Sequence, residues 1–299
     1  MMRNFNGDQP TFRNIAESFE GFIIDLFGVL HDGVRSFPPA LDVLRHLRSI
    51  NKRICLLSNS PRRTQQVATR LQSMKIDVGY YDALITSGEL VFESLSEREP
   101  SFMPTLGSRF FHIGPDELSG LLTGLAFARV ADVSDADFVL ATGTSGQTAG
   151  FAALKEAAAR NLPLICANPD LSVLIGDREV ACAGVVAAEY ESFGGRVYRF
   201  GKPALPTYQK ALGMLQLPPN RVLAIGDSLA TDITGANQAN ISSALVLSGI
   251  HHHYFRSRHG FDRAAFEQLC QKHGSRPSLI LSSLGLKEVA LDAGFENLA

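Results

Sequence analysis

Short apolar runs recur along this chain, each followed by a polar turn and then by a stretch with helical spacing. The first, Gly21-Phe22-Ile23-Ile24, closes on Asp25. Comparable runs lie at residues 53–57, 83–86, 110–113, 138–141, 162–167, 196–200, 222–225, 244–247 and 279–281. Their continuous apolar character predicts buried parallel strands rather than half-exposed ones. Between them, Leu41, Leu44, Leu47 and Ile50 recur at helical spacing behind Pro38-Pro39, and Asn51-Lys52 breaks that helix. Further helices are expected over residues 11–20, 61–75, 115–122, 146–160, 184–193, 206–215, 232–239 and 262–273. Gly194-Gly195 suits a helix end, and Asn240 a left-handed stop. Alternation of this kind predicts an α/β fold on parallel sheet.

In an open α/β sheet, ligands bind beyond the carboxyl ends of the strands, so the polar residues there are the chemical candidates. Asp25 is one, although a carboxylate after a strand also serves as a helix cap. Ser58-Asn59-Ser60-Pro61 follows the second run, with Ser60 read as an N-cap and Pro61 as the first helical residue, an arrangement that welcomes an anion. Asn168-Pro169-Asp170 ends another run. In Gly201-Lys202-Pro203 a lysine sits on a stiff loop, where a plain surface lysine is the alternative. Asp227 and Asp232, in Gly226-Asp227-Ser228-Leu229-Ala230-Thr231-Asp232, are two carboxylates on the loop after a buried strand, which suit a hard divalent cation. The stretch Gly143-Thr144-Ser145-Gly146-Gln147-Thr148 has neither the lysine nor the spacing of a phosphate loop and reads as a capped glycine turn. Adjacent histidines at His251-His252-His253 cannot easily converge on one ion and read as a loop feature.

Composition narrows the partners. The 299 residues are 45% hydrophobic, ample for two cores, and 28 basic against 30 acidic residues leave a net charge of −2. No footprint for nucleic acid or a membrane surface follows from that balance. Residues 1–20 contain no apolar core of a signal peptide, and no apolar run approaches a bilayer span. Cys55, Cys166, Cys182 and Cys270 lie far apart and read as free thiols of a reducing cytoplasm.

Taken in order, Asp25 after its strand, Ser58, Lys202, and Gly226-Asp227 with Asp232 resemble the motifs of the haloacid dehalogenase superfamily of phosphotransferases and hydrolases. The long insertion between the second and third motifs is similar to the C2-type cap of its class IIA branch, which holds nitrophenylphosphatase-like, pyridoxal-phosphatase-like and sugar-phosphatase-like proteins. The resemblance runs from about Gly21 to Leu284. It implies a Rossmann-like core over residues 1–85 and 196–299 with an inserted α/β cap over 86–195. It also implies a Mg²⁺-dependent hydrolase of a small phosphorylated metabolite, acting through an aspartyl-phosphate. Asp25 would be the nucleophile. Ser58 and the backbone near Asn59 would hold phosphoryl oxygens, and Lys202 would offset charge. Asp25, Asp227 and the backbone carbonyl of Phe27 would bind Mg²⁺, with Asp232 orienting that shell. Asn168 and Asp170 would face the substrate from the cap, and the resemblance leaves open a homodimer formed through that cap.

One departure stands out. Phosphatases of the superfamily usually carry a second aspartate two residues after the nucleophile, and here that position is Phe27. A phenyl ring moves no proton, and a missing general acid costs about 10²–10⁴-fold in rate. His31 or Asp32 is a candidate substitute, though turn chemistry explains that pair equally well. Two rival functions follow: a catalytically weak protein that binds a phospholigand, or hydrolysis of a non-ester bond as in dehalogenases and phosphonatases.

Overall fold

The fold was obtained as a computed structural model that describes residues 10–97, 106–144, 149–176, 178–250, 256–257 and 260–292. Three strands open the chain: β1 (Gly21–Ile24), β2 (Arg53–Ser58) and β3 (Ala83–Thr86). There follow β4 (Arg109–Ile113), β5 (Ala128–Val130), β6 (Phe138–Ala141), β7 (Leu164–Cys166), a hairpin of β8 (Ser172–Ile175) and β9 (Arg178–Ala181), and β10 (Val197–Arg199). The chain ends with β11 (Val222–Gly226), β12 (Ser242–Val246), a short pair β13 (Arg256–Ser257) and β14 (Gly260–Phe261), β15 (Leu279–Leu281) and β16 (Leu291–Asp292).

Two α/β sheets result. The larger has seven strands in the order β16-β15-β12-β11-β1-β2-β3, parallel throughout except for β16. Every residue of β1 and β11 is buried, because helices cover both faces. On one face Phe22, Ile24 and Leu223 pack with Leu44 and Leu47 of the helix Pro38–Ser49; on the other Ile23 and Ala224 pack with Tyr208 and Leu215 of the helix Leu205–Leu215. The smaller sheet is parallel, in the order β10-β7-β6-β4-β5, and carries its own core around Val139, Leu164 and Tyr190.

Strand order reverses direction between β1 and β11, so these neighbours flank a crevice at the carboxyl end of the larger sheet. The segments after β4, β6 and β7 of the smaller sheet, with Pro115, Thr142 and Asn168, line that same cleft.

Several local expectations change. The helix expected from Pro61 is Thr64–Ser73, because Ser60 Oγ accepts the Arg62 N–H at 3.3 Å and closes a turn instead of starting a helix. Residues 229–233 form one π-helical turn before the short helix Thr234–Gln238. Val197–Arg199 pairs with β7, so it belongs to the smaller sheet although the expected boundary fell at residue 195. The edge strand β5, with no apolar run, and the hairpin β8–β9 were not expected. Residues 145–148 of the glycine turn and His251-His252-His253 lie outside the described residues.

Candidate active site

Asp25 leaves the end of β1 with its N–H on the carbonyl of Ile225 in the neighbouring β11, at 2.9 Å. Asp227 leaves the end of β11, and the π-helical turn brings Asp232 back beneath it. One carboxylate oxygen from each of Asp25, Asp227 and Asp232 lies within 4.8 Å of the others, and all three residues are buried. Lys202 enters from the loop after β10, only 3% exposed, with Nζ at 2.6 Å from Asp25 Oδ1 and 2.8 Å from Asp232 Oδ1. That approach requires glycine before it: Gly201 has φ +112°, and a Cβ there would sit 2.1 Å from Ser87 Oγ and 2.4 Å from Asn59 Oδ1.

Asn59 ties the two sheets together. Its Oδ1 accepts the Lys202 N–H at 2.7 Å, while its Nδ2 donates to Asp170 Oδ1 at 2.8 Å and to the Lys202 carbonyl at 3.2 Å. Asn168, after β7, uses Oδ1 to accept the Asp170 N–H at 3.1 Å. Ser58 Oγ accepts the Ser60 N–H at 3.2 Å, which leaves its own O–H available as a donor. Ser58, Asn59, Asn168, Asp170, Lys202 and Asp227 all border one cleft of about 670 Å³.

One ammonium does not balance this many carboxylates. Burial, reinforced by Asp232, pushes Asp25 up to about 7 in spite of Lys202. Burial and the charges of Asp25 and Asp232 hold Asp227 well above the usual carboxylate range, against a hydrogen bond from the Ile250 N–H at 2.7 Å. Asp170 is raised by burial, although Lys202 and Asn59 oppose it. Burial alone would pull Lys202 down, but Asp232 and Asp25 hold it well above its ordinary value. The surplus negative charge, converging as carboxylate oxygens at the end of a sheet, fits a hard divalent cation.

Phe27 lines the cleft with its ring edge-on to His31, centroids 4.5 Å apart at 76°. His31 is 2% exposed, and its Nδ1 accepts the Gly33 N–H at 3.0 Å. Burial, with Arg70 nearby, lowers its pKa to about 4, so the ring is neutral. Asp32 Oδ1 accepts the Val34 and Arg35 N–H groups at 2.8 and 2.7 Å. Burial is the largest single influence and raises its pKa, but the backbone bonds from Arg35 and Val34 and the Arg35 charge together hold it below the ordinary value. Both residues are spent on their own turn, and neither is poised to give up a proton near neutrality.

The cleft has walls the candidate residues did not include. The hairpin β8–β9 lines it through Val173 and Ile175, and Gly176 N–H donates to the Asp32 carbonyl at 2.9 Å. The dipeptide Gly176-Asp177 between Val173-Leu174-Ile175 and Val180 is the sequence signal that marks such a hairpin. Arg62 and Arg70 line the same cleft.

A buried acidic cluster with a lysine at the switch point of a parallel sheet, roofed by a second α/β sheet, defines a capped hydrolase fold. Models described as haloacid dehalogenase-like hydrolase match residues 22–128 and 127–240, and one described as HAD-hydrolase-like matches 199–284. The crystal structure of a hydrolase of the haloacid dehalogenase-like family from Brucella suis 1330 is 30% identical, with TM-score 0.73, covering 84% of this chain and 93% of that one. The chain therefore belongs to the haloacid dehalogenase-like hydrolase family. It is similar to ribonucleotide monophosphatase NagD of Escherichia coli, 28% identical over 239 residues that span 78% of this chain and 89% of NagD. Chronophin of Rattus norvegicus is 26% identical over 251 residues, spanning 80% of this chain and 79% of chronophin. Among the described residues no helix is long and apolar enough to cross a membrane.

Proposed function

We propose that this hydrolase cleaves a phosphate monoester of a small metabolite, with Asp25 as nucleophile and Mg²⁺ as the cation its acidic cluster requires. The observation that carries the reading is the placement of Asp25 between Lys202 and Asp227, in a cluster whose charge one lysine does not cancel. Asp25, Asp227 and the carbonyl of Phe27 would hold the ion, with Asp232 anchoring the shell through Lys202 and the Ser228 N–H. When bound, the ion supplies the charge compensation that lets a phosphate dianion approach carboxylates.

In this mechanism the Asp25 carboxylate attacks phosphorus, the ester P–O bond breaks, and the departing alkoxide takes a proton from water, since Phe27 offers none. Water then attacks the aspartyl-phosphate, releasing inorganic phosphate and restoring the carboxylate. Lys202 holds Asp25 in place and offsets charge. The Ser58 hydroxyl donates to a phosphoryl oxygen, and the backbone at Asn59 adds to it. The Asn59 side chain, taken up by Lys202 and Asp170, positions those two residues rather than the substrate. Asn168 and Asp170 close the site from residues 86–195, which act as the cap. The free, buried cysteines accord with work in the cytoplasm.

A panel of alkyl and aryl phosphates with Mg²⁺ tests the reading. Turnover that vanishes in Asp25→Asn supports it, and no turnover of any ester by the wild type sinks it. A second reading, binding of a phospholigand with little turnover, is favoured by Phe27 and by the engagement of His31 and Asp32 within their turn. Tight binding of phosphate without ester cleavage separates it from the first.

A further inference from the structure

Arg62 and Arg63 are neighbours in sequence and differ in fate. Arg63 gives Nε and Nη2 to Glu89 at 2.9 and 2.7 Å, a committed two-point pair. Arg62 has no hydrogen-bonded carboxylate among the described residues. Its nearest, Glu117, stays at 3.8 Å and is itself 67% exposed. Arg70, on the helix Thr64–Ser73, donates Nη2 to the Gly33 carbonyl at 2.6 Å and makes no ion pair among the described residues. Both arginines line the cleft that contains Asp25 and Lys202. They also border a recess of about 30 Å³ beside it, with Ser58, Ser60 and Phe27. Burial and the charge of Arg70 lower Arg62 below its ordinary value although Glu117 opposes them, so the two cations repel across this space.

We infer that Arg62 and Arg70 receive a second anionic group of the substrate, a carboxylate or a further phosphate, while the scissile phosphoryl group lies at Asp25. The inference rests on the phosphatase reading and adds a substrate class to it. The alternative role for Arg62 is a latch to Glu117, which comes from the opposite wall of the cleft.

Calorimetry with Mg²⁺ in the Asp25→Asn background, which blocks turnover, tests the inference with paired probes. Inorganic phosphate is the reference. 3-Phosphoglycerate is compared with glycerol 3-phosphate for a carboxylate, and fructose 1,6-bisphosphate with fructose 6-phosphate for a second phosphate. The member of one pair with the extra anion should bind more tightly, and the responding pair identifies the group. Adding Arg62→Gln or Arg70→Gln should weaken that ligand roughly tenfold, while the less charged partner moves by less than about twofold. Glu117→Gln should leave the preference intact or sharpen it. Equal binding within both pairs overturns the inference while leaving the phosphatase reading in place. A loss in Glu117→Gln equal to that in Arg62→Gln overturns it in favour of the latch. Failure of inorganic phosphate, which needs no blocked turnover, to bind the wild-type protein with Mg²⁺ removes the phosphatase reading, and this inference with it.

Discussion

At the floor of the cleft Lys202 is 3% exposed and held by two carboxylates, whereas on its wall Arg62 is 32% exposed and among the described residues pairs with Glu117 alone, at 3.8 Å. The floor grows from the ends of β1 and β11, whose residues are all buried, so its charges sit on rigid strands in low dielectric. The wall grows from a turn, a helix and the hairpin β8–β9, whose strands are half-buried to exposed. Buried charges demand partners at all times, so the floor is paired within the protein before any ligand arrives. Exposed charges are solvated and can wait, so the wall is free to make ligand-dependent contacts. On the proposed function, chemistry belongs to the first region and recognition to the second.

The largest expected effect comes from breaking the floor. Lys202→Met removes the one ammonium among Asp25, Asp232 and Asp170. Removing one partner of a buried pair costs about 3–5 kcal/mol, because the other charge stays buried. Urea unfolding should show a loss of that order without metal, partly restored by saturating Mg²⁺, and hydrolysis should vanish. A loss no larger than that of Arg62→Gln would end the contrast between floor and wall.

Phe27→Asp, the next largest, asks whether the floor lacks only a proton donor. Alkyl phosphate turnover should rise, by about 10²-fold or more, if the new carboxylate reaches the leaving oxygen. Aryl phosphates, with better leaving groups, should gain less. Equal rates for wild type and variant on both ester classes would mean that proton transfer does not limit the rate. Loss of native activity would mean that the Phe27 ring itself contacts the substrate.

The two regions also differ in how far the sequence reveals them. Asp25, Ser58 and Asp227 each close an apolar run, so their placement at strand ends followed from pattern and the α/β rule, and their grouping from family resemblance. Lys202 alone looked like a surface lysine; its burial depends on Gly201 and Asn59, far apart in sequence. The strands β5, β8 and β9 escaped notice because none of their residues is fully buried and apolar periodicity reports burial. The helix after β2 began late because the Ser60 hydroxyl closed a turn on Arg62, a local bond that capping preferences do not distinguish from a true N-cap. Arg62 and Arg70 carry no signal at all in one sequence, since an arginine that lines a cleft reads there like any surface arginine.

Titration sharpens the comparison at a smaller scale. Asp25 is raised from 3.8 to about 7 and Asp227 is raised as well, so the metal-free folded protein keeps protons that the unfolded chain has released. Their contribution therefore makes stability fall as pH rises through that window. His31, lowered from 6.5 to about 4, works in the opposite direction: its contribution is present above 6.5 and lost as pH falls toward 4. With EDTA the two raised carboxylates should dominate, and the urea midpoint should decline between about pH 5 and pH 7. Saturating Mg²⁺ keeps both carboxylates ionised, and the slope should reverse. Apparent Mg²⁺ affinity should drop roughly tenfold per pH unit below about pH 7, with proton release measurable in buffers of different ionisation enthalpy. A slope of the same sign with and without Mg²⁺ would place the titrating groups elsewhere than the floor.

Smallest of all should be the response of the hairpin. Gly176 has φ +58°, and a Cβ there would meet only Val34 Cγ2, at 4.0 Å. Gly176→Ala therefore costs little beyond the left-handed backbone, roughly 1–2 kcal/mol. The bond from its N–H to the Asp32 carbonyl does not need the glycine and should persist. Asn tolerates the left-handed region better than Ala, so Gly176→Asn should recover part of the loss in thermal unfolding. Neither variant should change affinity for Mg²⁺ or inorganic phosphate, because the hairpin touches neither Lys202 nor the acidic cluster through any hydrogen bond among the described residues. Weakened phosphate binding in Gly176→Ala, of the size expected for a floor variant, would show that the hairpin helps to hold the catalytic end of the cleft. The division between a rigid floor and a recognising wall would then have to be redrawn at Asp32.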